Sequence, residues 1–196
     1  MEKPRLKAYF SEHAIEAGLD EVGRGCLAGP VVAAAVILPK DYFHPFLNDS
    51  KQVSARRRAE IKLDIEREAL AFSIAEIDAQ TIDQINIYKA SMKAMHLAVD
   101  QLTIQPEHLL VDGNKFISYP LIPHTCIVKG DSKFFSIAAA SILAKTYRDE
   151  LMENFSKTYP GYGWERNAGY PTLQHKLGIV KNGFSPIHRL TFRSQL

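Results

Sequence analysis

The chain has 196 residues and a mass of 22.0 kDa, with 46% hydrophobic and 23% charged residues, an ordinary globular composition with room for one sizeable core. No apolar run nears the ~20 residues a membrane-spanning helix needs, and the N-terminus lacks the apolar stretch of a signal peptide, so no membrane partner is expected. A net charge of +2 permits a nucleic-acid partner without demanding one.

In chain order, Glu16 to Val22 reads as a first strand and Val31 to Leu38 as its hairpin partner, separated by a glycine-rich turn. The second segment has no polar residue, which places it in the middle of a sheet covered on both faces. A loop from Pro39 to Lys51 leads to Ser54, a helix N-cap, and a helix carrying Ile61, Ile65 and Ala69 at four-residue spacing. Its run Arg56-Arg57-Arg58 is by default a solvated face. Leu70 to Ile77 suits a third strand. Asn86 caps a second helix whose Tyr88, Met92, Met95, Val99 and Leu102 form a core-facing stripe. Two short apolar strands follow, His108 to Asp112 and Thr125 to Lys129, each ending at a glycine and an acid. A long helix is expected from Ser132, apolar all round over Ile137 to Ala144 and polar beyond Arg148. After Pro160 come an aromatic loop with Tyr162, Trp164 and Tyr170, a short helix near Thr172 to Lys181, and the tail Ser185 to Arg189. The order β-β-α-β-α-β-β-α predicts a mixed α/β sheet, antiparallel at first and then parallel. Cys26 and Cys126 lie far apart without metal-ligand spacing, which fits free thiols in a reducing, cytoplasmic setting.

The chemistry gathers at strand ends, where α/β sheets collect their sites. Asp20, Glu21, Asp112 and Asp131 all stand where an apolar strand meets a glycine-containing turn. One such acid is an ordinary turn former; three strand ends, one with a doubled acid, point to a constellation. Four carboxylates together would repel, and some would protonate, unless cations joined them. An all-oxygen donor set suits Mg²⁺ or Mn²⁺ and disfavours zinc. A pair of such ions activates water and stabilises the leaving oxygen in phosphodiester cleavage. The adjacent Gly23-Arg24-Gly25 turn lets a backbone approach a ligand closely, and arginine offers a fork of donors for phosphate.

The stretch GLDEVGRGCLAGPVVAAAVIL resembles the signature of type 2 ribonuclease H, the bacterial ribonuclease HII family. The likeness continues, in the family's order, through LNDSKQVS, LLVDGN, IVKGDSK, SIAAASILAKTYRDELM, GYPTLQH and FSPIHR. The resemblance implies a ribonuclease H-like fold: a five-stranded mixed sheet flanked by helices, here one domain over residues 1–196 with about 160–196 as a small, substrate-contacting helical extension. It implies hydrolysis of the RNA strand of RNA/DNA hybrids and nicking of duplex DNA 5′ to a single ribonucleotide, leaving 5′-phosphate and 3′-hydroxyl ends. It assigns Asp20, Glu21, Asp112 and Asp131 as catalytic, metal-holding acids with two Mg²⁺ or Mn²⁺ ions. Gly23, Arg24, Gly25 and Tyr170 would contact the ribonucleotide junction.

Lys51 and Lys133 are candidate phosphate contacts, as are Arg56 to Arg58, His188 and Arg189. Asp149 rivals Asp131 for the fourth acid, but 18 helical residues at ~1.5 Å each would separate them by roughly 27 Å, and the strand-end residue is preferred. A monomer is expected, and no clamp-binding peptide is evident in Thr191 to Leu196, although a sliding clamp is a possible partner. Three rivals are weighed. A type 3 ribonuclease H normally carries an extra N-terminal domain, for which the 17 residues before Gly18 are too few. A phosphate-loop protein would not place acids before its glycines. A catalytically silent nucleic-acid-binding module would not need all four acids.

Overall fold

Two strands, β1 (Glu16–Val22) and β2 (Val31–Ile37), pair antiparallel at the middle of the sheet, with Asp20 opposite Ala34 and Glu21 opposite Ala33. The structure, a computed structural model, describes residues 6–47 and 53–195, with side chains as far as Phe192. β3 (Ala71–Ile77) adds antiparallel to β2, while β4 (His108–Asp112) and β5 (His124–Ile127) add in parallel on the other side, giving the order β3-β2-β1-β4-β5. This is the five-stranded mixed sheet expected from the element order.

Helices cover both faces. They are α1 (Ala55–Glu68), α2 (Ala79–Ile85), α3 (Ile87–Asp100), α4 (Phe135–Thr158), α5 (Trp164–Asn167) and α6 (Leu173–Asn182). Side chains alternate across a strand, and β2 shows why its sequence carries no polar residue. Val31, Ala33, Ala35 and Ile37 join Met92, Met95 and Val99 of α3 in one core. Val32, Ala34 and Val36 join Ile61 and Ile65 of α1 and Ala138 to Ala144 of α4 in the other. The apolar first half of α4 is buried all round, from Phe135 to Ala144.

Two local features differ from the sequence reading. α2 was not anticipated; its N-cap is Asp78, whose carboxylate accepts from Thr81 N at 2.6 Å. The long helix starts at Phe135 rather than Ser132, because a 3-10 turn, Gly130–Ser132, comes first. Asp131 is therefore in that turn and does not cap α4, whose N-cap is Phe134. Asn86 does cap α3, accepting from Lys89 N at 3.1 Å.

α4 lies close against β1 because Gly18 has no side chain. A Cβ there would stand 2.2 Å from the carbonyl carbon of Ser136 and 2.4 Å from Ile137 N, both backbone atoms that cannot swing aside. Gly18→Ala should therefore part helix from sheet at their closest contact and destabilise the protein by about 3 kcal/mol or more, read as a fall in the urea midpoint. An unchanged midpoint would mean that the two layers can slide apart freely.

Candidate active site

Asp20 and Asp112 end up side by side because β1 and β4 run parallel. Their last paired residues are Leu19 and Val111, and the acids are the next residue on each strand. Both lie on the α4 side, as the alternation from Gly18 and Leu110 requires. Glu21 points to the opposite, α3 side. The cleft reaches all of them by wrapping round the end of the sheet: Asp20, Glu21, Asp112 and Asp131 line one cavity of about 470 Å³. An alternating strand cannot point both acids one way, and the cavity straddles the strand end instead.

The carboxylates are crowded and partly stripped of water. Asp20 is 8% exposed, as is Asp131. Burial first, then the negative charges of Glu21 and Asp112, push the Asp20 carboxyl well above the ordinary range, against hydrogen bonds from Ser141 and from Glu21 N at 2.7 Å. Burial also raises Glu21, opposed by its bond from Arg24 Nη1 at 3.0 Å. Asp112 accepts from Gly130 N at 2.7 Å, tying the end of β4 to the turn that carries Asp131. Oxygen-only donors that repel one another in a shared cavity are a donor set suited to hard divalent cations.

The same cavity is lined by Gly23, Arg24, Gly25 and Tyr170. Gly23 has φ +93, and a Cβ there would meet Arg148 Nε at 2.3 Å; around Gly25 there is open space. The first glycine is thus needed for packing and the second leaves room for a ligand. Lys133 is exposed and outside this lining: it closes the 3-10 turn through a 2.8 Å bond to Gly130 O. Lys51 lies outside the described residues.

Two polar residues in the lining were missed by the sequence reading: Ser141 on α4 and Lys145, one turn further along the same helix. Lys145 Nζ bonds Asp149 at 2.6 Å, and Asp149 takes a second bond from Arg58 Nη2 at 2.9 Å. Asp149 is thus an ion-paired helix residue lining a separate cleft with α1 and α5, and Arg58 is a partner of Asp149 rather than part of a solvated face. Ser141 and Lys145, four residues apart, share one face of α4, but they sit in or beside a run that otherwise reads as pure core.

Arg189 and His188 correct the sequence reading more sharply. They are 1% and 3% exposed, too enclosed to meet a phosphate. Arg189 donates to Gly29 O twice (3.0 and 2.8 Å) and to Arg24 O at 3.0 Å. Arg148, fully buried, donates to Pro30 O, Ala168 O and Ala28 O at 2.9, 2.7 and 3.1 Å. Two guanidinium forks thus sew the loop 24–30 to the C-terminal segment through carbonyl oxygens. His175, the last residue of the GYPTLQH stretch, is buried. Its Nδ1–H donates to Tyr170 O at 3.0 Å, while its Nε2 accepts from Trp164 Nε1–H at 3.0 Å and faces His188 Nε2 at 3.1 Å. Both imidazoles are neutral in this arrangement: His188 Nδ1 accepts from Ser185 N at 2.8 Å, leaving its Nε2 to carry the hydrogen.

A five-stranded mixed sheet with acids massed at the ends of its central parallel strands is the ribonuclease H-like fold. A solved structure that shares it is the ribonuclease H2 of Pyrococcus horikoshii, with a TM-score of 0.77 at 23% identity over 92% of this chain and 96% of that one. The ribonuclease HII of Archaeoglobus fulgidus, solved in complex with PCNA, matches with a TM-score of 0.74 at 24% identity over 91% and 94%. By sequence, ribonuclease HII of Bacteroides thetaiotaomicron is 55% identical over 187 residues, covering 95% of this chain and 94% of the relative. The ribonuclease HII family model matches residues 17–195. The chain belongs to the ribonuclease HII family. Its class of chemistry is ribonuclease H-type hydrolysis of RNA in RNA/DNA hybrids.

Two outcomes are expected. In the metal-free protein, burial and the negative charges of Glu21 and Asp112 work against an ionised Asp20. Asp20→Asn should then raise the melting temperature while removing activity; a fall would mean that the carboxylate is a net structural contact. The second concerns His188, whose imidazole burial and the adjacent His175 hold down to about 4, against about 6.5 when unfolded. The unfolded chain binds more protons between those values, so this group makes stability rise from about pH 4 to about pH 6.5 and level off above. Urea midpoints across that window should lose part of their slope in His188→Asn, and an unchanged slope would place the effect elsewhere.

Proposed function

We propose that this protein nicks duplex DNA on the 5′ side of an embedded ribonucleotide, as well as cutting RNA/DNA hybrids, and leaves 5′-phosphate and 3′-hydroxyl ends. The observation that carries the reading is the single cavity in which four carboxylates face the Gly23-Arg24-Gly25 turn and Tyr170. Asp20, Glu21, Asp112 and Asp131 would hold two Mg²⁺ or Mn²⁺ ions. When bound, such ions supply an activated water and stabilise the departing oxygen in phosphodiester hydrolysis.

The chain's own groups handle positioning. Telling a ribonucleotide from a deoxyribonucleotide requires polar groups placed at the 2′ position. The open space around Gly25 lets backbone come close to the sugar, and Tyr170, 38% exposed, offers a ring edge and a hydroxyl across the cleft. Arg24 is bonded to Glu21 and so orients the carboxylate that burial would otherwise leave without a counter-charge. The ammonium of Lys145, steered by Asp149, sits in the cavity as the positive group that a phosphate oxygen could meet. A cytoplasmic location belongs to the same proposal; among the described residues no helix is long and apolar enough to cross a membrane. A sliding clamp is carried over from the Archaeoglobus complex as a candidate partner only.

The test uses a labelled DNA duplex holding one ribonucleotide. Cleavage 5′ to that residue, lost with a chelator and restored by Mg²⁺ or Mn²⁺, is expected; binding without a nick would leave a silent binding module. Asp112→Asn should abolish the nick while shifting the melting temperature by no more than a few degrees. Tyr170→Ala should lower cleavage at single ribonucleotides more than it lowers duplex affinity, and equal activity would remove Tyr170 from the site.

A further inference from the structure

The tail segment Ile187 to Arg189 lies behind the cleft and is tied to both of its sides. It pairs antiparallel with Leu27 to Gly29. Gly29 N donates to Ile187 O at 2.9 Å and Arg189 N to Leu27 O at 2.8 Å, with His188 opposite Ala28. Successive side chains of an extended segment leave in opposite directions, and here they reach different parts of the site. Arg189 Nη1 donates to Arg24 O, in the Gly-Arg-Gly turn, at 3.0 Å. His188 meets His175, Nε2 to Nε2 at 3.1 Å, in a core closed by the rings of Tyr162 and Trp164. His175 in turn bonds Tyr170 O from its Nδ1 at 3.0 Å.

The geometry fixes which nitrogen of His175 carries the hydrogen. A carbonyl oxygen can only accept, so Nδ1 must donate. Nε2 then has one lone pair, and two N–H groups are aimed at it, Trp164 Nε1 at 3.0 Å and His188 Nε2. His188 has its own hydrogen on Nε2 because its Nδ1 accepts from Ser185 N at 2.8 Å. The His175 ring is thus locked with its N–H turned toward Tyr170. Arg148 and Leu27 hold the preceding carbonyls, Ala168 O and Gly169 O, and His175 holds that of Tyr170 itself. From one core the fold grips a carbonyl on each side of the cleft, Arg24 O and Tyr170 O, and both residues line the cavity.

We infer that His175 and Arg189 are positioning residues for ribonucleotide discrimination, holding the Tyr170 backbone and the Gly-Arg-Gly turn at one fixed spacing. This rests on the roles given to Tyr170 and the turn above. A 2′-hydroxyl is a small mark, and groups that read it from two sides must be held to within about 0.5 Å. Neither residue touches the substrate; each acts through a backbone carbonyl.

The kinetic test uses the duplex with a single ribonucleotide. His175→Gln keeps an acceptor for Trp164 but no longer offers Tyr170 O an N–H, and should lower kcat about fivefold with KM within about twofold. His175→Asn, whose amide nitrogen stands where Nδ1 did, should return to within about twofold of the parent. In a Tyr170→Phe background, His175→Gln should add almost no further loss, because the hydroxyl it aims is gone. Arg189→Lys has one ammonium in place of a fork. It should lower kcat about fivefold in either background, since it acts on the other side. Ile179→Val, in the apolar cluster that also holds Tyr162 and Trp164, should leave both constants at the parent values. Equal losses with glutamine and asparagine, a full His175→Gln effect in Tyr170→Phe, an unchanged kcat in Arg189→Lys, or a comparable loss in Ile179→Val would each overturn the inference.

A second measurement uses the unaltered protein without metal or substrate. Nitrogen NMR of the labelled imidazoles at neutral pH should show His175 with its hydrogen on Nδ1 and His188 with its hydrogen on Nε2. A hydrogen on His175 Nε2 overturns the inference whether or not the variants fold. Failure of the parent to nick, with these tautomers present, would instead sink the functional reading and the discrimination role with it, and leave the two backbone links standing.

Discussion

Negative charge held close together out of water is the constraint around which this molecule is built. The carboxylates of Asp20 and Asp112 are brought level by parallel pairing of β1 and β4, and Asp20 is pushed up by burial and by the charges of Glu21 and Asp112. A fold can keep such groups together only if something else fixes their backbones, because their own interaction drives them apart. Here that work falls to apolar layers on both faces of the sheet and to the bond from Gly130 N to Asp112. The acids contribute little to holding the fold and gain their meaning from what they can attract.

Positive charge is used in the opposite way. Arg148 and Arg189 are buried with no carboxylate ion pair among the described residues, and together they make six hydrogen bonds to carbonyl oxygens. Burial pulls Arg189 down to about 10, which still leaves it charged at neutral pH. An ion pair in the same place would have consumed an acid close to those of the cleft. Carbonyl oxygens satisfy the donors without adding net negative charge, and they belong to the loop that must be held rigid. The cost of burying a guanidinium is thereby turned into loop geometry, and the Gly-Arg-Gly turn is presented as a fixed surface.

Much of this was legible in the sequence, for identifiable reasons. The succession of strands and helices along the chain followed from hydrophobic runs bounded by glycine and proline, and the two-sided burial of β2 from its lack of any polar residue. The four acids stood out because strand ends are where an α/β sheet exposes its loops. What escaped notice depended on contacts between distant segments. Arg189 and His188 read as exposed cations because nothing local says that a basic tail will be enclosed by residues some 160 positions earlier. Lys145 was hidden in a run of buried residues. The start of the long helix was placed at Ser132 because a 3-10 turn and an α-helix start look alike in one dimension. The α2 helix is too short, at seven residues, to show a period.

Gly18 has a further implication. In β2 every side chain is apolar on both faces, so hydrophobic burial alone would accept a hairpin shifted by one residue almost as readily as the native one. Such a shift would turn Asp20 toward α3 and Glu21 toward α4, exchanging their surroundings. The contact of Gly18 with the α4 backbone forbids it, since Leu19 could not occupy that place. The smallest residue of β1 thus acts as an alignment pin, and the chemical identity of each acid two and three positions downstream is decided by where a missing side chain sits.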